Sequence, residues 1–399
     1  SEMSPVGRTK TLPAFGSHVS KMTFAFASCQ NYPVGYFTAY RHMAAEELDL
    51  VFHLGDYIYE GPGPASTTPS PRYHNGPEIM TLTDYRNRYA LYKSDSDLQA
   101  AHAKFPWVVA MDDHEVENNH AGLFPENNQP VEPFLARKAA AFQAYYENMP
   151  LRSSSLPSGF TMQLYRNFNY GDLANVFVLD TRQFRDDQAS SDKDVVQPPT
   201  PESTSVDRSI MGEEQEQWLL SGLYQSQAKW NIIPQQVLFC KRDLLIGTGE
   251  ELNMENWDGY SANRDRILNF AKQQGLTNLV VLTGNVHNNW ACDIKADFNN
   301  PDSETLGAEF VGTAITSGGD GVDITDAQKA VLAENPHIKF YNNQRGYVRC
   351  IVTPDSWQTD YRIVPYVSRP GAPITTRASF LLEKGKPGLQ KIYDGAVTV

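Results

Sequence analysis

The chain has 399 residues, a formal net charge of −13 and a pI near 5.2. Hydrophobic residues make up 41% and aromatic residues 11%, which is enough for a sizeable core and excludes global disorder. The sequence has no basic tract that could displace counterions from nucleic acid. It also has no apolar stretch near the roughly 20 residues needed to span a bilayer. Length alone permits one large α/β domain or two smaller ones.

Four short apolar runs of the sequence each lead directly into polar side chains. Such runs are typical of buried strands, and ligands of α/β sheets bind at the carboxyl ends of strands. The runs span 22–27, 48–54, 105–111 and 279–283, and the polar side chains after them are Cys29, Asp56, Tyr59, Asp113, His114, Asn285 and His287. Taken alone, Asp56 could cap a turn and Tyr59 could pack in a core. The four junctions together predict one site with ligands for more than one cation.

Helical spacing predicts helices between these runs, and alternating strands and helices indicate α/β layers around buried sheets. The predicted helices span 37–48, 82–103, 133–149, 213–227 and 264–274, and further strands are predicted at 175–180 and 230–234. Gly275 follows the last helix as a plausible C-cap. The stretches 61–76, rich in Pro and Gly, and 188–207, with three prolines, are predicted to be loops because core segments flank both.

Several of these stretches together carry a family resemblance. They include FASCQNYPVGYFTAYRHMA, LVFHLGDYIYEG, FPWVVAMDDHEVENN, VFVLDTRQFR, VVLTGNVHNNWACDIK and FVGTAITSGGDG, in this order. From about residue 24 to residue 364 the chain resembles the PhoD-like alkaline phosphatases, a family within the calcineurin-like metallophosphoesterases. The resemblance implies a four-layer α-β-β-α sandwich, in which two mixed sheets face each other and a metal site lies at the carboxyl ends of strands.

The resemblance also implies the organisation of the chain. Residues 21–399 would form the metallophosphoesterase catalytic domain, and residues 1–20 would be a linker from an N-terminal domain that is missing here. The segments 347–353, 357–364 and 378–382 would be antiparallel strands of the second sheet. A secreted or periplasmic location is usual in the family, although the start of this chain lacks a signal-peptide core.

The resemblance further implies two kinds of metal ion. The ligands of a ferric ion would be Cys29, Asp56, Tyr59 and His287, and those of one or two Ca²⁺ ions would be Asp56, Asp113, Asn118 and Asn285. Thiolate, phenolate, imidazole and carboxylate groups stabilise Fe³⁺, whereas carboxylate and amide oxygens suit Ca²⁺. Asp258 and Asp320 could support Ca²⁺ or shape turns.

Two residues, His114 and Asn118, are the candidate catalytic groups. The His114 imidazole would hold phosphoryl oxygens or protonate the departing alkoxide, and a supporting or capping role is the alternative. Asn119 and His120 are expected to be structural. Four cysteines do not make a disulfide scaffold in a chain of this length. The three besides Cys29 are expected to pack in the interior, and they are Cys240, Cys292 and Cys350.

Asn285 departs from the family pattern, which is usually Gly-Asp-x-His where this chain has Gly-Asn-Val-His at 284–287. The amide keeps one oxygen ligand but removes a negative charge, so a divalent ion should bind more weakly. A natural variant with altered metal preference, a deliberately disabled enzyme and a relative that has lost catalysis all remain open.

The implied reaction is the hydrolysis of phosphomonoesters and phosphodiesters by a metal-bound hydroxide, without a covalent phosphoenzyme. The partners would be small-molecule phosphate esters or phospholipid head groups, and the sequence does not predict an oligomeric state. A phospholipase D-like lipid phosphodiesterase is one alternative. A metal- or phosphate-binding protein without turnover is another.

Overall fold

The computed structural model of the chain describes residues 6–65, 68–190 and 195–395. Seven α-helices lie within these ranges: α1 (Thr38–Ala45), α2 (Leu82–Tyr92), α3 (Ser96–Lys104), α4 (Val131–Asn148), α5 (Glu213–Gln225), α6 (Ser261–Gln273) and α7 (Asp326–Glu334). Four short 3-10 helices span Tyr32–Val34, Glu126–Asn128, Ser153–Ser155 and Trp257–Tyr260.

The same ranges hold sixteen strands. They are β1 (Met22–Ala27), β2 (Leu50–His53), β3 (Trp107–Val109), β4 (Arg166–Tyr170), β5 (Ala174–Val178), β6 (Val196–Gln197), β7 (Trp230–Gln235), β8 (Leu252–Asn253), β9 (Leu279–Thr283), β10 (Asn289–Lys295), β11 (Thr305–Val311), β12 (Ile338–Asn342), β13 (Arg345–Val352), β14 (Ser356–Val364), β15 (Thr375–Glu383) and β16 (Lys386–Asp394).

Fourteen of these strands form two seven-stranded mixed sheets. The first has the order β16-β15-β14-β13-β1-β2-β3, in which β1, β2 and β3 are parallel and β13 to β16 are antiparallel to their neighbours. The second has the order β12-β10-β11-β9-β7-β5-β4, with β11, β9, β7 and β5 parallel. Strands β6 and β8 form a separate pair. The parallel strands of each sheet therefore end at one edge, where the site-bearing segments emerge.

Alternate side chains of the central strands point into different layers of the core. From β1, Phe24 and Phe26 pack between the sheets with Leu282 of β9, whereas Ala25 and Ala27 pack against the helices that cover the first sheet. Likewise Val280 of β9 faces the first sheet, and its neighbours in the strand face α5 and α6. Strands buried on both faces read as continuous apolar runs, as these do. The predicted four-layer α-β-β-α sandwich is confirmed.

The single helix predicted over 82–103 is wrong, because the segment forms two helices. α2 ends at Tyr92 and α3 begins at Ser96. The Asp95 carboxylate accepts hydrogen bonds from the backbone N–H groups of Asp97 and Leu98 and so caps the new helix. The other predicted helices differ from α1, α4, α5 and α6 by at most three residues at either end.

The three late strands are antiparallel as predicted, but they extend the sheet that contains β1. β13 pairs with β1, with Met22 opposite Val352, and β14 and β15 continue outward from it. The expectation that they belong to a second sheet is therefore wrong, because they share one sheet with β1, β2 and β3. Alternating apolar residues predict a strand but do not specify its neighbour.

Two segments outside the sheets carry little regular structure. Within 61–76 the described residues form no helix or strand, and within 188–207 they form only β6; residues 66–67 and 191–194 lie outside the described residues. Residues 6–20 run along the surface, where Arg8 N–H donates to the carbonyl of Ala103 and Val19 N–H to the carboxylate of Asp172. Their role as a linker stays a prediction. No helix among the described residues is both long and apolar enough to cross a membrane.

We expect Asp95→Ala to lower the free energy of unfolding by about 1–2 kcal/mol, because α3 loses its N-cap. The same change removes the carboxylate that accepts a 2.7 Å hydrogen bond from Arg72. Urea denaturation monitored by circular dichroism measures the loss. Asp97→Ala is the matched control, since Asp97 lies in the first turn of the same helix and pairs with the exposed Arg41. Equal losses in the two variants would contradict the capping role.

Candidate functional site

Residues that follow strands of both sheets meet at one place. Cys29 follows β1, Asp56 follows β2 and His287 follows β9, and their ligand atoms all lie within 4.8 Å of one another. β1 and β2 belong to the first sheet and β9 to the second. The site therefore lies where the carboxyl ends of parallel strands from the two sheets come together, as the sequence predicted.

A second group of possible ligands shares one member with the first. Ligand atoms of Asp56, Asp113 and His114 also lie within 4.8 Å of one another. Asp56 is thus common to both groups, which is the arrangement of a carboxylate that bridges two cations. One oxygen of Asp56, Oδ1, is buried and has no hydrogen-bond partner among the described residues. A buried carboxylate oxygen without a partner is costly unless a cation or a proton satisfies it.

Tyr59 completes the first group. Its hydroxyl donates to Asp56 Oδ2 over 2.9 Å and lies 3.3 Å from Nε2 of His287. The Ser317 hydroxyl lies 2.7 Å from the same phenol oxygen and 2.8 Å from the carbonyl oxygen of Cys29, so it can donate to either of them. All four residues predicted to bind a ferric ion are therefore together, and their thiol, phenol, imidazole and carboxyl groups fit such an ion.

Four of the predicted ligands have left-handed backbone conformations. The φ angles are 58° at Cys29, 54° at Asp56, 56° at Asn285 and 61° at His287. Only two other non-glycine residues of the described chain, Asn119 and Asn127, share this region. Such conformations cost on the order of 1–3 kcal/mol each and cluster at functional sites. The turns after the strands thus hold the side chains in place at an energetic cost.

Without a bound cation, the ionisable side chains of the first group favour their uncharged forms. Burial is the largest cause in each case: it raises the pKa values of Cys29, Asp56 and Tyr59 well above their usual range and lowers the pKa of His287 to about 3. A cation bound among these groups would reverse the first three shifts, because it stabilises thiolate, carboxylate and phenolate. Neutral imidazole is already the form of histidine that binds metals.

Asp113 and His114 have the opposite tendency and favour their charged forms. Burial alone would raise the pKa of Asp113, but the Arg182 guanidinium and the His114 imidazole hold the pKa below its usual value. Burial opposes the imidazolium of His114, yet the carboxylates of Glu60 and Asp113 raise its pKa well above the usual value. His114 Nδ1 lies 2.7 Å from Glu60 Oε2. Glu60 therefore orients the ring and leaves Nε2 for a ligand.

Asn118 and Asn285 lie in the wall of a cavity of about 320 Å³ next to the ligand groups. Eleven of its twelve lining residues are polar, and the full set is Asp113, His114, Asn118, Asn119, Arg242, Asn253, Glu255, Asn256, Asn285, Val286, His287 and Asn288. Larger cavities of about 530 and 650 Å³ lie elsewhere, but none of the predicted metal ligands lines either. Chemistry rather than size therefore identifies the site.

Each asparagine has a specific partner. Asn118 donates from its backbone to Glu60 and from its side chain to Glu126, both over distances below 3 Å. The Asn285 amide donates to Glu255 Oε1 over 3.3 Å. The carboxylate of Glu255 is thus next to the position at which the family usually has aspartate.

The sequence reasoning missed several residues at the site, and Arg182, Glu60 and Glu255 are among them. Arg182 is fully buried and binds Asp112, Asp113 and Glu255, with contacts of 2.5, 3.2 and 2.6 Å. Glu60 orients His114, and Glu255 contacts Asn285. A signal for Arg182 was present, because this arginine stands just after the strand-like run at 175–180. Glu255 lies far along the sequence from the apolar runs that mark the site, so no sequence pattern indicated it.

The remaining candidates have structural partners. Asp258 accepts from Arg264 and from the backbone of Arg242, and Asp320 accepts from the backbone of Val367 and from Ser368. Both carboxylates therefore hold turns of the protein together. Cys240, Cys292 and Cys350 are buried without disulfides, as expected. Asn119 donates its backbone N–H to Asp113, and His120 contacts the carbonyl of Glu117.

Known proteins resemble the chain along nearly its whole length. The family described as PhoD-like phosphatase matches residues 24–361. Alkaline phosphatase D of Bacillus subtilis (strain 168) is 58% identical over 393 residues, which are 98% of this chain and 67% of that protein. A solved structure of PhoD is 57% identical, has a TM-score of 0.96 and is matched over 99% of this chain and 76% of that chain.

The fold, the site and these likenesses together define the class of protein, a hydrolase of phosphoric esters. The chain belongs to the PhoD-like phosphatase family.

The turn that carries Asp56 gives a testable prediction. Gly55 has a φ of 108°, and a Cβ added there would lie 2.7 Å from the backbone nitrogen of Asp112. We expect Gly55→Ala to cost at least about 1–3 kcal/mol of stability in urea and to reduce the metal content of the purified protein. Gly61→Ala is the control, because its added Cβ would meet nothing within 4 Å. Unchanged stability and metal content in Gly55→Ala would refute the constraint.

Proposed function

We propose that the protein is a metal-dependent phosphoesterase that hydrolyses both phosphomonoesters and phosphodiesters. The observation that carries the proposal is the pair of ligand groups that share Asp56 at the edge of a polar cavity. Two adjacent cations can hold the attacking and the leaving oxygens of an in-line displacement at phosphorus. The likeness to alkaline phosphatase D supports the same chemistry.

We assign a ferric ion to the first group, and one or two Ca²⁺ ions to Asp56 and Asp113 of the second group together with the two asparagines of the cavity wall. Cys29, Asp56, Tyr59 and His287 would hold Fe³⁺, and Asp56, Asp113, Asn118 and Asn285 would face Ca²⁺. When bound, these ions would supply Lewis acidity, which lowers the pKa of water and neutralises charge on the phosphoryl oxygens. The unpartnered Oδ1 of Asp56 and the thiol–phenol–imidazole set support the assignment.

The residues around the ligands have separate tasks in this reaction. His114 would present a proton at Nε2 to the departing alkoxide, while Glu60 holds Nδ1. Arg182 would keep Asp113 ionised and fixed in position. Asn118 lies in the cavity wall, where its amide oxygen can meet a cation or the substrate. Cys29 would act as a ligand rather than a nucleophile, so no phosphoenzyme is needed.

The substrates in this proposal are small phosphate esters or phospholipid head groups. The cavity of about 320 Å³ is large enough for a phosphate ester, and its polar lining suits a hydrophilic group rather than an acyl chain. A secreted or periplasmic location, as is usual for the family, belongs to the same proposal.

We infer that Asn285 is compatible with activity. Its amide contacts the carboxylate of Glu255, so an acidic oxygen already stands next to it. An aspartate here would place two carboxylates side by side without a cation. The amide therefore suits the local charge of this particular site.

We expect the parent protein to release p-nitrophenol from bis-p-nitrophenyl phosphate when Ca²⁺ is present. Asn285→Asp should reach half of its maximal rate at a Ca²⁺ concentration roughly tenfold lower, because an added carboxylate raises the affinity of an oxygen site for Ca²⁺. Without Ca²⁺, the same variant should unfold at a lower temperature than the parent, because the introduced carboxylate and that of Glu255 repel each other. Added Ca²⁺ should remove this difference in unfolding temperature.

Asn288→Asp is the matched control, because it adds the same charge to the same cavity at a residue whose amide donates to Asn343. It should leave the Ca²⁺ dependence close to that of the parent. If the parent released no p-nitrophenol while Asn285→Asp did, the result would favour the hypothesis that this protein is a catalytically disabled relative. A strong preference for phosphatidylcholine vesicles as substrate would favour the phospholipase D-like alternative. If neither the parent nor Asn285→Asp hydrolysed an ester with metal bound, the phosphoesterase proposal would be overturned.

The identity of the ion in the first group has its own test. Iron bound by phenolate and thiolate should give a visible charge-transfer band, and Tyr59→Phe should lose the phenolate part of it. Tyr57→Phe is the control: Tyr57 belongs to the same turn and is fully buried, but its hydroxyl contacts His102, 2.8 Å away. Absorption spectra with iron quantified by mass spectrometry give the answer. Equal spectra for the two variants would refute Tyr59 as a ligand.

A further inference from the structure

One arginine in the wall of the site cavity has no polar partner for its side chain among the described residues. Arg242 lies between β7 and β8, lines the cavity with Asp113 and His287, and is only 8% exposed. Its Nε is buried without a hydrogen bond. Neither Nη1 nor Nη2 makes a hydrogen bond or an ion pair with any residue that the structure describes.

The other buried arginines near the site are all engaged. Arg182 binds three carboxylates, Arg264 binds Asp258 and a carbonyl, and Arg345 binds the carbonyls of Ser317 and Asn343. A buried guanidinium without a partner is costly. The exception at Arg242 therefore points to a ligand that is anionic and enters from the cavity.

The surroundings of Arg242 keep its charge available. The nearby acids are occupied. Asp113 and Glu255 bind Arg182, and the carboxylates of Asp258 and Glu309 each accept hydrogen bonds from the protein at both oxygens. The side chain is held by an apolar partner instead: its Cζ lies 5.2 Å from the centre of the Trp290 ring. Its backbone N–H donates to Asp258 over 3.0 Å. The group is thus fixed in position without being neutralised.

We propose that Arg242 is a phosphate-binding residue, whose guanidinium donates paired hydrogen bonds to non-bridging oxygens of the phosphoryl group in the cavity. This rests on the proposed function, since it deepens the recognition of phosphate esters at the same site. The planar fork of arginine matches phosphate oxygens two at a time, and such charge-assisted hydrogen bonds are stronger than neutral ones. Lysine cannot reproduce this geometry.

The test measures binding of inorganic phosphate to the metal-loaded protein by calorimetry, together with KM and kcat for p-nitrophenyl phosphate. We expect Arg242→Gln to weaken phosphate binding roughly 10- to 100-fold and to raise KM. Arg242→Lys should recover only part of the affinity. Lys241→Gln is the matched control, because it removes the same charge from the adjacent residue, whose amine instead binds Glu250 and Asn299. It should bind phosphate as the parent does.

The outcomes separate this inference from the proposed function. Parent-like phosphate affinity and KM in Arg242→Gln would overturn the role of Arg242, even if the parent hydrolyses esters well. Equal weakening in Arg242→Gln and Lys241→Gln would also overturn it, since the effect would then be one of general charge. If Arg242→Gln lost stability but kept its phosphate affinity, the role of Arg242 would be limited to packing against Trp290. A parent that binds phosphate through Arg242 but hydrolyses nothing would refute only the proposed function.

Discussion

The buried guanidinium of Arg182 joins the two sheets at the site. It follows β5 of the second sheet and binds Asp112 and Asp113, which follow β3 of the first. Its third partner, Glu255, lies just after β8. One positive charge therefore fixes three carboxylates in place but does not neutralise them all. The excess of acidic oxygen that remains, together with Asp56, would suit the pair of cations that we propose.

The residues that carry the site side chains have unusual backbone conformations, and they follow strands of both sheets. Left-handed conformations at Cys29, Asp56 and His287 are unfavourable for residues with a Cβ. Each of these residues lies within four positions of the end of a buried strand whose place the core sets, and this packing offsets the cost. Glu115 contributes by accepting backbone hydrogen bonds from both Asp56 and Asp112, so that one carboxylate links the turns after β2 and β3.

Most of the layered fold could be predicted from the sequence, and so could the meeting of Cys29, Asp56 and His287 at one place. Strands buried on both faces are continuous apolar runs, and the polar residues in question follow such runs in the chain. The break at Asp95 was hidden because helix-compatible residues stand on both sides of it. The place of β13 beside β1 depends on a pairing between residues more than 300 positions apart. Glu255 and Arg242 were missed for the same reason: no local pattern marks a residue that a long connection brings to the site.

The charges of the site serve two opposing requirements. A protein of net charge −13 repels anionic esters, yet a cluster of carboxylates is needed to hold cations. Among the described residues that line the cavity, Arg242 alone is a permanently charged side-chain cation. An aspartate at position 285 would strengthen the hold on a divalent ion but would add repulsion beside the incoming phosphate. In the proposed mechanism Asn285 would shift this balance toward the substrate. Glu255, which is held by Arg182 and contacts Asn285, would keep one carboxylate near the proposed Ca²⁺ ligands.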